Sequence, residues 1–148
     1  MNDAHAVASF QGINPQRCSA GGRTSVELNL RLPNSPGALA NVCALMSAER
    51  IQIFAMTLEA GGQLRLVVDN HVHAAAVLRE QHHQVAERDV IMTAVPNSPG
   101  SLAPILGLVS DAGVNIDYAY GAVGEGSPSG SVVLGVEDAE RASAESGL

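Results

Sequence analysis

The sequence predicts an α+β fold of two ferredoxin-like βαββαβ units in tandem, the second lacking its last strand. Three observations predict it. Residues 33–53 and 96–116 repeat at a constant offset of 63: Pro33-Asn34-Ser35-Pro36-Gly37-Ala38-Leu39-Ala40 matches Pro96-Asn97-Ser98-Pro99-Gly100-Ser101-Leu102-Ala103. Both copies then close on a similar triplet, Ile51-Gln52-Ile53 and Val114-Asn115-Ile116. Each copy also sits between two runs of strand character, giving the order strand, helix, strand, strand, helix, strand.

The elements follow in order. Residues 1–24 have no sustained period and read as a mobile leader, with Ala6 to Phe10 as its apolar patch. From Ser25 to Leu32, Val26, Leu28, Leu30 and Leu32 alternate with Ser25, Glu27, Asn29 and Arg31, a half-buried strand ended by Pro33. Ser35 fits a helix N-cap and Pro36 the first helical position. Leu39, Val42, Cys43 and Met46 then fall on one helical face, as do Leu102, Ile105, Leu106 and Val109 in the second copy, so all eight are expected in the core. Gly113 suits a left-handed helix stop, where the first copy has Glu49-Arg50.

Ile51 to Glu59 and Gln63 to Val68 read as strands joined by a Gly61-Gly62 hairpin. A helix over 71–83, capped by Asp69 or Asn70, and a short strand over 84–88 complete unit one. The second unit begins near Asp89, with a strand over 90–95 that is apolar on both faces. Its other strands cover 115–123 and 131–136, and Asp138 caps a last helix. Units of 25–88 and 89–148 result. Pro104, expected to lie five residues into its helix, removes a donor that would serve the Gly100 carbonyl. The missing fourth strand leaves an open sheet edge, which residues 5–10 or a partner chain are expected to cover.

Composition excludes several functions. The net charge is −7, and the eight basic residues are scattered arginines with no lysine, which argues against nucleic-acid binding. With no lysine a P-loop is impossible. No window approaches a membrane span, and no secretory signal pattern occurs, so a cytoplasmic location is expected. Cys18 and Cys43 fit that reducing setting. The histidines at 71, 73, 82 and 83 lack metal-binding spacing, so no metal is expected. Gly124 and Gly126 lie in a hairpin and make no dinucleotide fingerprint. No catalytic constellation is found, and no cofactor is implied.

The repeated loop is the candidate site. The first N–H groups of a helix lack internal partners and carry partial positive charge. After the prolines, the available donors are those of Gly37, Ala38 and Leu39, and of Gly100, Ser101 and Leu102. Such donors suit a carboxylate, and Gly37 and Gly100 leave room for its approach. The side-chain oxygens of Asn34 and Asn97 suit an ammonium. A free α-amino acid presents both groups.

The run Asn97-Ser98-Pro99-Gly100-Ser101-Leu102, followed by Gly113-Val114-Asn115-Ile116, resembles the pattern of ACT domains, regulatory modules that bind amino acids in biosynthetic enzymes. The resemblance covers residues 25–148. It implies that Asn97 and Asn115, and in the first copy Asn34 and Gln52, hold the effector beside Pro36 and Pro99. The histidine of serine-regulated members is replaced by Leu32 and Val95, which speaks against serine. The resemblance further implies a homodimer, with ligand at the seam between units. Two such modules without a catalytic domain look like stand-alone tandem ACT proteins. Alternatives are a regulatory subunit of a separate enzyme, like those of acetolactate synthase or aspartokinase, and a structural dimerisation module without ligand.

Overall fold

The computed structural model describes residues 24–148. Its elements are β1 (Ser25–Arg31), α1 (Ala38–Ala48), β2 (Ile53–Leu58), β3 (Gln63–Val68), α2 (His71–Glu80), β4 (Ala86–Pro96), α3 (Leu102–Asp111), β5 (Ile116–Ala122), β6 (Ser129–Val136) and α4 (Ala139–Ser146). The strands run antiparallel in the order β2-β3-β1-β4-β6-β5. Each unit therefore has the ferredoxin-like arrangement, with its second strand on an outer edge.

The two units share a strand. The expected strands over 84–88 and 90–95 are one continuous element, so the boundary expected between residues 88 and 89 falls inside β4. Its first half, Ala86 to Val90, pairs with β1, and its second half, Ile91 to Pro96, pairs with β6. Among the described residues no further strand flanks the second half. The leader residues 5–10 expected there lie outside the described residues, as does Cys18.

Apolar alternation builds two cores, one under each pair of helices. Leu28, Leu30, Leu64 and Leu66 meet Val42, Met46, Ala74 and Leu78 in the first. Ile91, Leu134 and Val136 meet Val109, Val114 and Ala142 in the second. A third cluster, Val67, Val90 and Val133, lies where the strands' other faces converge.

Several expectations are corrected. Ser35 does not cap α1: Gly37 occupies the N-cap in the left-handed conformation (φ 84°), with no side-chain cap. A serine followed by Pro-Gly accommodates both arrangements, and the glycine takes the turn that an L side chain resists. Helix α2 stops at Glu80 because His82 turns left-handed, at φ 68°. Leu102 is 43% exposed and is not core, since it starts α3 rather than lying within it. Cys43, a free thiol, is half-buried, as is Leu39. Pro104 is the third residue of α3 and sits in its first turn. In the first copy Asn41 N–H donates to the Gly37 carbonyl at 2.9 Å, and Pro104 stands at the equivalent place, so the Gly100 carbonyl lacks that bond.

Two caps agree with expectation. Asn70 Oδ1 accepts from His73 N–H, and Asp138 Oδ1 from Arg141 N–H. Gly113 takes φ 70° after α3, while Arg50 is forced to φ 56° after α1.

Candidate functional site

The Pro-Gly loop of each unit borders a cleft at the helix N-terminus. In the second unit the cleft holds about 440 Å³ and runs from Asn97, Ser98 and Gly100 to the β5 residues Ala119 and Gly121. In the first it holds about 380 Å³ between Asn34, Gly37, Leu39 and the turn at Leu58, Glu59 and Gly62. Ala38, Ser101 and Leu102 also line these clefts, whereas Pro36 and Pro99 do not.

Glycine matters here for its backbone. Gly37 and Gly100 have φ of 84° and 81°, and a Cβ at either would meet nothing within 4 Å. Any side chain there would be strained, and the adjoining space is open. The turn uses one of the three expected donors in each copy. Ala38 N–H donates to the Ser35 carbonyl at 3.3 Å, and Ser101 N–H to the Ser98 carbonyl at 3.2 Å. The N–H groups of Gly37, Leu39, Gly100 and Leu102 have no backbone partner among the described residues.

The two amides of each unit stand apart. Asn97 belongs to the loop cleft, whereas Asn115 lines a separate hollow beyond the other end of α3, with Ser110, Gly113 and Glu137. A ten-residue helix separates them, about 15 Å at 1.5 Å per residue. Gln52 is likewise absent from the first cleft. Its N–H donates to Asp69 Oδ1 and its side chain to the Ile53 carbonyl, both at 3.1 Å. Asn97 Nδ2 donates to the carbonyls of Ser127 (2.6 Å) and Gly124 (3.4 Å) in the β5–β6 hairpin, and its N–H donates to Pro128 O. The loop is thus tied to that hairpin.

Sequence reading missed a second constellation on the sheet face away from the helices. Glu27, expected on the half-exposed side of β1, is completely buried. Its Oε2 accepts from Tyr120 Oη at 2.6 Å, and its Oε1 from Tyr118 Oη and from Asn29 Nδ2 at 3.1 Å. Arg65 places Nε 3.9 Å from Oε1 and its guanidinium 4.0 Å from the Tyr118 ring centroid. Arg88 sits 5.0 Å from the same ring and bonds Asp117 Oδ2 at 2.5 Å and the Val136 carbonyl at 2.8 Å.

A register shift between Ile116 and Tyr118 lets β5 present Ile116 to the core and Tyr118 to the opposite face. Gly135 lies directly beneath the Tyr118 ring. Burial, reinforced by the Glu27 carboxylate, pushes the Tyr118 hydroxyl up to about 12 and raises Tyr120 further. One signal was available: Glu27 aligns with Val90 in the repeat, an unmatched carboxylate at a position that tolerates valine.

Among the described residues no group of three metal-ligating side chains converges, and His73 instead meets Glu49 at 3.0 Å. No described helix is long and apolar enough to cross a membrane.

With two βαβ-type units, a shared strand and paired Pro-Gly loops in place, the comparison with known proteins is direct. A family model described as an ACT domain pair matches residues 23–145. The chain belongs to this family. No curated protein matches it. Among solved structures, this ACT pair is similar to protein BT0572 from Bacteroides thetaiotaomicron, at 29% identity over 80% of this chain and 83% of that one, with a TM-score of 0.71. The ligand-free regulatory subunit of aspartate kinase from Thermus thermophilus shares the fold, at 19% identity, 84% and 91% coverage and a TM-score of 0.62. E. coli aspartokinase III, in complex with lysine and aspartate, does so at 19% identity and a TM-score of 0.53, with 84% of this chain covering 30% of that one.

Proposed function

We propose that this ACT pair is a non-catalytic regulatory protein that binds a small amino acid at its Asn-Ser-Pro-Gly loops and signals through contacts between units or subunits. The observation that carries the reading is the pair of left-handed Pro-Gly turns at helix starts, each with unpartnered N–H donors beside an open cleft. Those donors meet the carboxylate. Asn97 commits its NH2 to the hairpin, which leaves its amide oxygen for the ammonium. If one cleft is occupied, it is the Pro99-Gly100 cleft, because that copy keeps both asparagines, Asn97 at its own loop and Asn115 to serve the loop of a partner unit.

The distance between Asn97 and Asn115 gives this reading a condition. The two amides serve one ligand only when a second unit brings its strand amide to the first unit's loop. A homodimer with ligand at the seam meets that condition, and binding then stabilises the dimer by mass action.

A thermal-shift panel of the twenty amino acids, followed by sedimentation of the dimer, tests the proposal. A selective rise with a tighter dimer is expected. A flat panel refutes it in favour of a subunit that docks on a biosynthetic enzyme without its own ligand, or of a structural dimerisation module. Asn97→Ala combined with Asn115→Ala abolishes the shift while the fold persists.

A further inference from the structure

We propose that Glu27, Tyr118 and Tyr120 form a latch by which the first unit sets the shape of the second unit's loop cleft. The latch goes beyond the amino-acid reading, because it holds for whatever occupies the cleft.

The repeat shows that the latch is an addition to simple packing. At the offset of 63, Glu27 corresponds to Val90, and Tyr118 and Tyr120 correspond to Ala55 and Thr57. The carboxylate occurs once, in the first unit, and the phenols occur once, in the second. Units that merely packed on each other would need only the apolar cluster of Val67, Val90 and Val133, against which Tyr120 packs. A fully buried carboxylate is costly unless donors compensate it, and well-packed apolar residues of similar volume often serve stability as well or better. Here two of the three hydrogen-bond donors, the Tyr118 and Tyr120 hydroxyls, come from across the unit boundary, which fits a contact that fixes one orientation.

The path from latch to cleft is continuous. Tyr118 and Tyr120 reach Glu27 from β5, and the same strand lines the cleft with Ala119, Tyr120 and Gly121, so Tyr120 belongs to both. Strand β5 lies at the sheet edge and pairs only with β6 among the described residues, so the two phenols supply much of its remaining restraint. Beyond β5 the hairpin carbonyls of Gly124 and Ser127 hold Asn97, and Asn97 begins the Pro99-Gly100 loop. Loss of the latch frees the strand, the strand moves the hairpin, and the hairpin carries the loop. The first cleft touches the latch only from its side, through Glu59, which pairs with the Arg65 lying over the Tyr118 ring, and no phenol stands at Ala55 or Thr57 to tie its own strand.

The protein carries its own probe. It contains no tryptophan and two tyrosines, both in the latch, so the aromatic near-ultraviolet dichroism is dominated by their order. The test uses the ligand-free full chain. Glu27→Gln and Tyr120→Phe are compared with Val133→Ala, which trims the apolar cluster on which Tyr120 packs and removes none of the latch hydrogen bonds. Amide hydrogen exchange is read at residues 118–122, at Gly100 to Leu102 and in α1.

The latch variants are expected to lose tyrosine dichroism and to exchange about tenfold faster in β5 and at the Gly100 loop, as removal of one strong hydrogen bond implies, with α1 unchanged. Val133→Ala is expected to change these regions no more than it changes α1. Two results overturn the proposal: unchanged loop exchange when tyrosine dichroism is lost, or an increase spread equally over α1. Tyr120→Phe keeps the ring and removes one hydroxyl, so the question remains answerable if Glu27→Gln fails to fold. Amino-acid binding does not enter any of these readouts, so their outcome is separate from that of the thermal-shift panel.

Discussion

Replacing Gly135 with alanine tests the packing of the second unit against the first. A Cβ at Gly135 would stand 2.2 Å from Tyr118 Cζ and 2.5 Å from both Cε atoms, where ordinary contact begins at 3.4 Å. The ring must therefore lift by about 1.2 Å, and its hydroxyl cannot then keep its bond to Glu27. Overpacking costs about 1–3 kcal/mol. A lost hydrogen bond to a charged acceptor costs about 1.5–3 kcal/mol. Exchanging glycine for alanine within a strand returns roughly 0.5–1 kcal/mol. The net expectation is a loss of about 1.5–5.5 kcal/mol, or a Tm lower by roughly 5–17 °C for a chain of this size. Urea melts read by far-ultraviolet dichroism should show a lower midpoint with an unchanged slope. In a Tyr118→Ala background the same substitution should cost less than about 0.5 kcal/mol, because the obstructing ring is gone. If the two changes add, the ring does not rest on Gly135 and the reasoning fails.

Other expectations concern single features. Arg50→Gly relieves a left-handed residue at φ 56° and should stabilise by about 0.5–1 kcal/mol, seen as a raised melting temperature; a lowered one would refute the strain. Leu102→Ala should cost less than about 1 kcal/mol, since the side chain is 43% exposed, whereas Met46→Ala, fully buried, should cost about 2–5 kcal/mol in the same urea assay. The Tyr118 hydroxyl, raised to about 12 by burial and Glu27, gives an alkaline limit. Arg65 and Arg88 also face its ring, and Arg88 is held there by Asp117. Below about pH 10 the hydroxyl is protonated in both states, and its contribution is fully present. Above that the unfolded chain releases its proton first, so stability falls as pH rises towards 12. A spectrophotometric titration should show tyrosine ionisation coinciding with loss of helix, and ionisation well before unfolding would contradict the buried latch.

Local patterns carried much of the fold. The alternation from Val26 to Leu30 placed β1, the double glycine placed the β2–β3 turn, and Gly113 placed the end of α3, because each is decided by neighbours along the chain. What failed was decided across space. Asp89 looked like a boundary because polar residues at 87–89 interrupt two apolar runs, yet the strand continues and merely exchanges partners there. Glu27 looked solvated because alternation reports which face a residue takes and says nothing about what covers that face. Leu102 fits a helical stripe equally well at the mouth of the cleft as in the core. Asn97 and Asn115 read as one site in sequence because the repeat pairs them, and the helix between them is what holds them apart.

The strand shared by the two units carries a consequence for how this architecture can change. In tandem modules joined by a flexible linker, a residue gained or lost at the junction alters only the slack between them. Here the junction is the middle of β4, paired on one side up to Val90 and on the other from Ile91. One inserted residue would turn every later side chain of that strand to the opposite face, sending Ile91 and Val95 out of the core and Met92 and Ala94 into it. Only changes that keep the alternation survive. The halves are therefore bound to one reading frame of in and out, and neither can be lengthened, excised or exchanged at this point without rewriting the other.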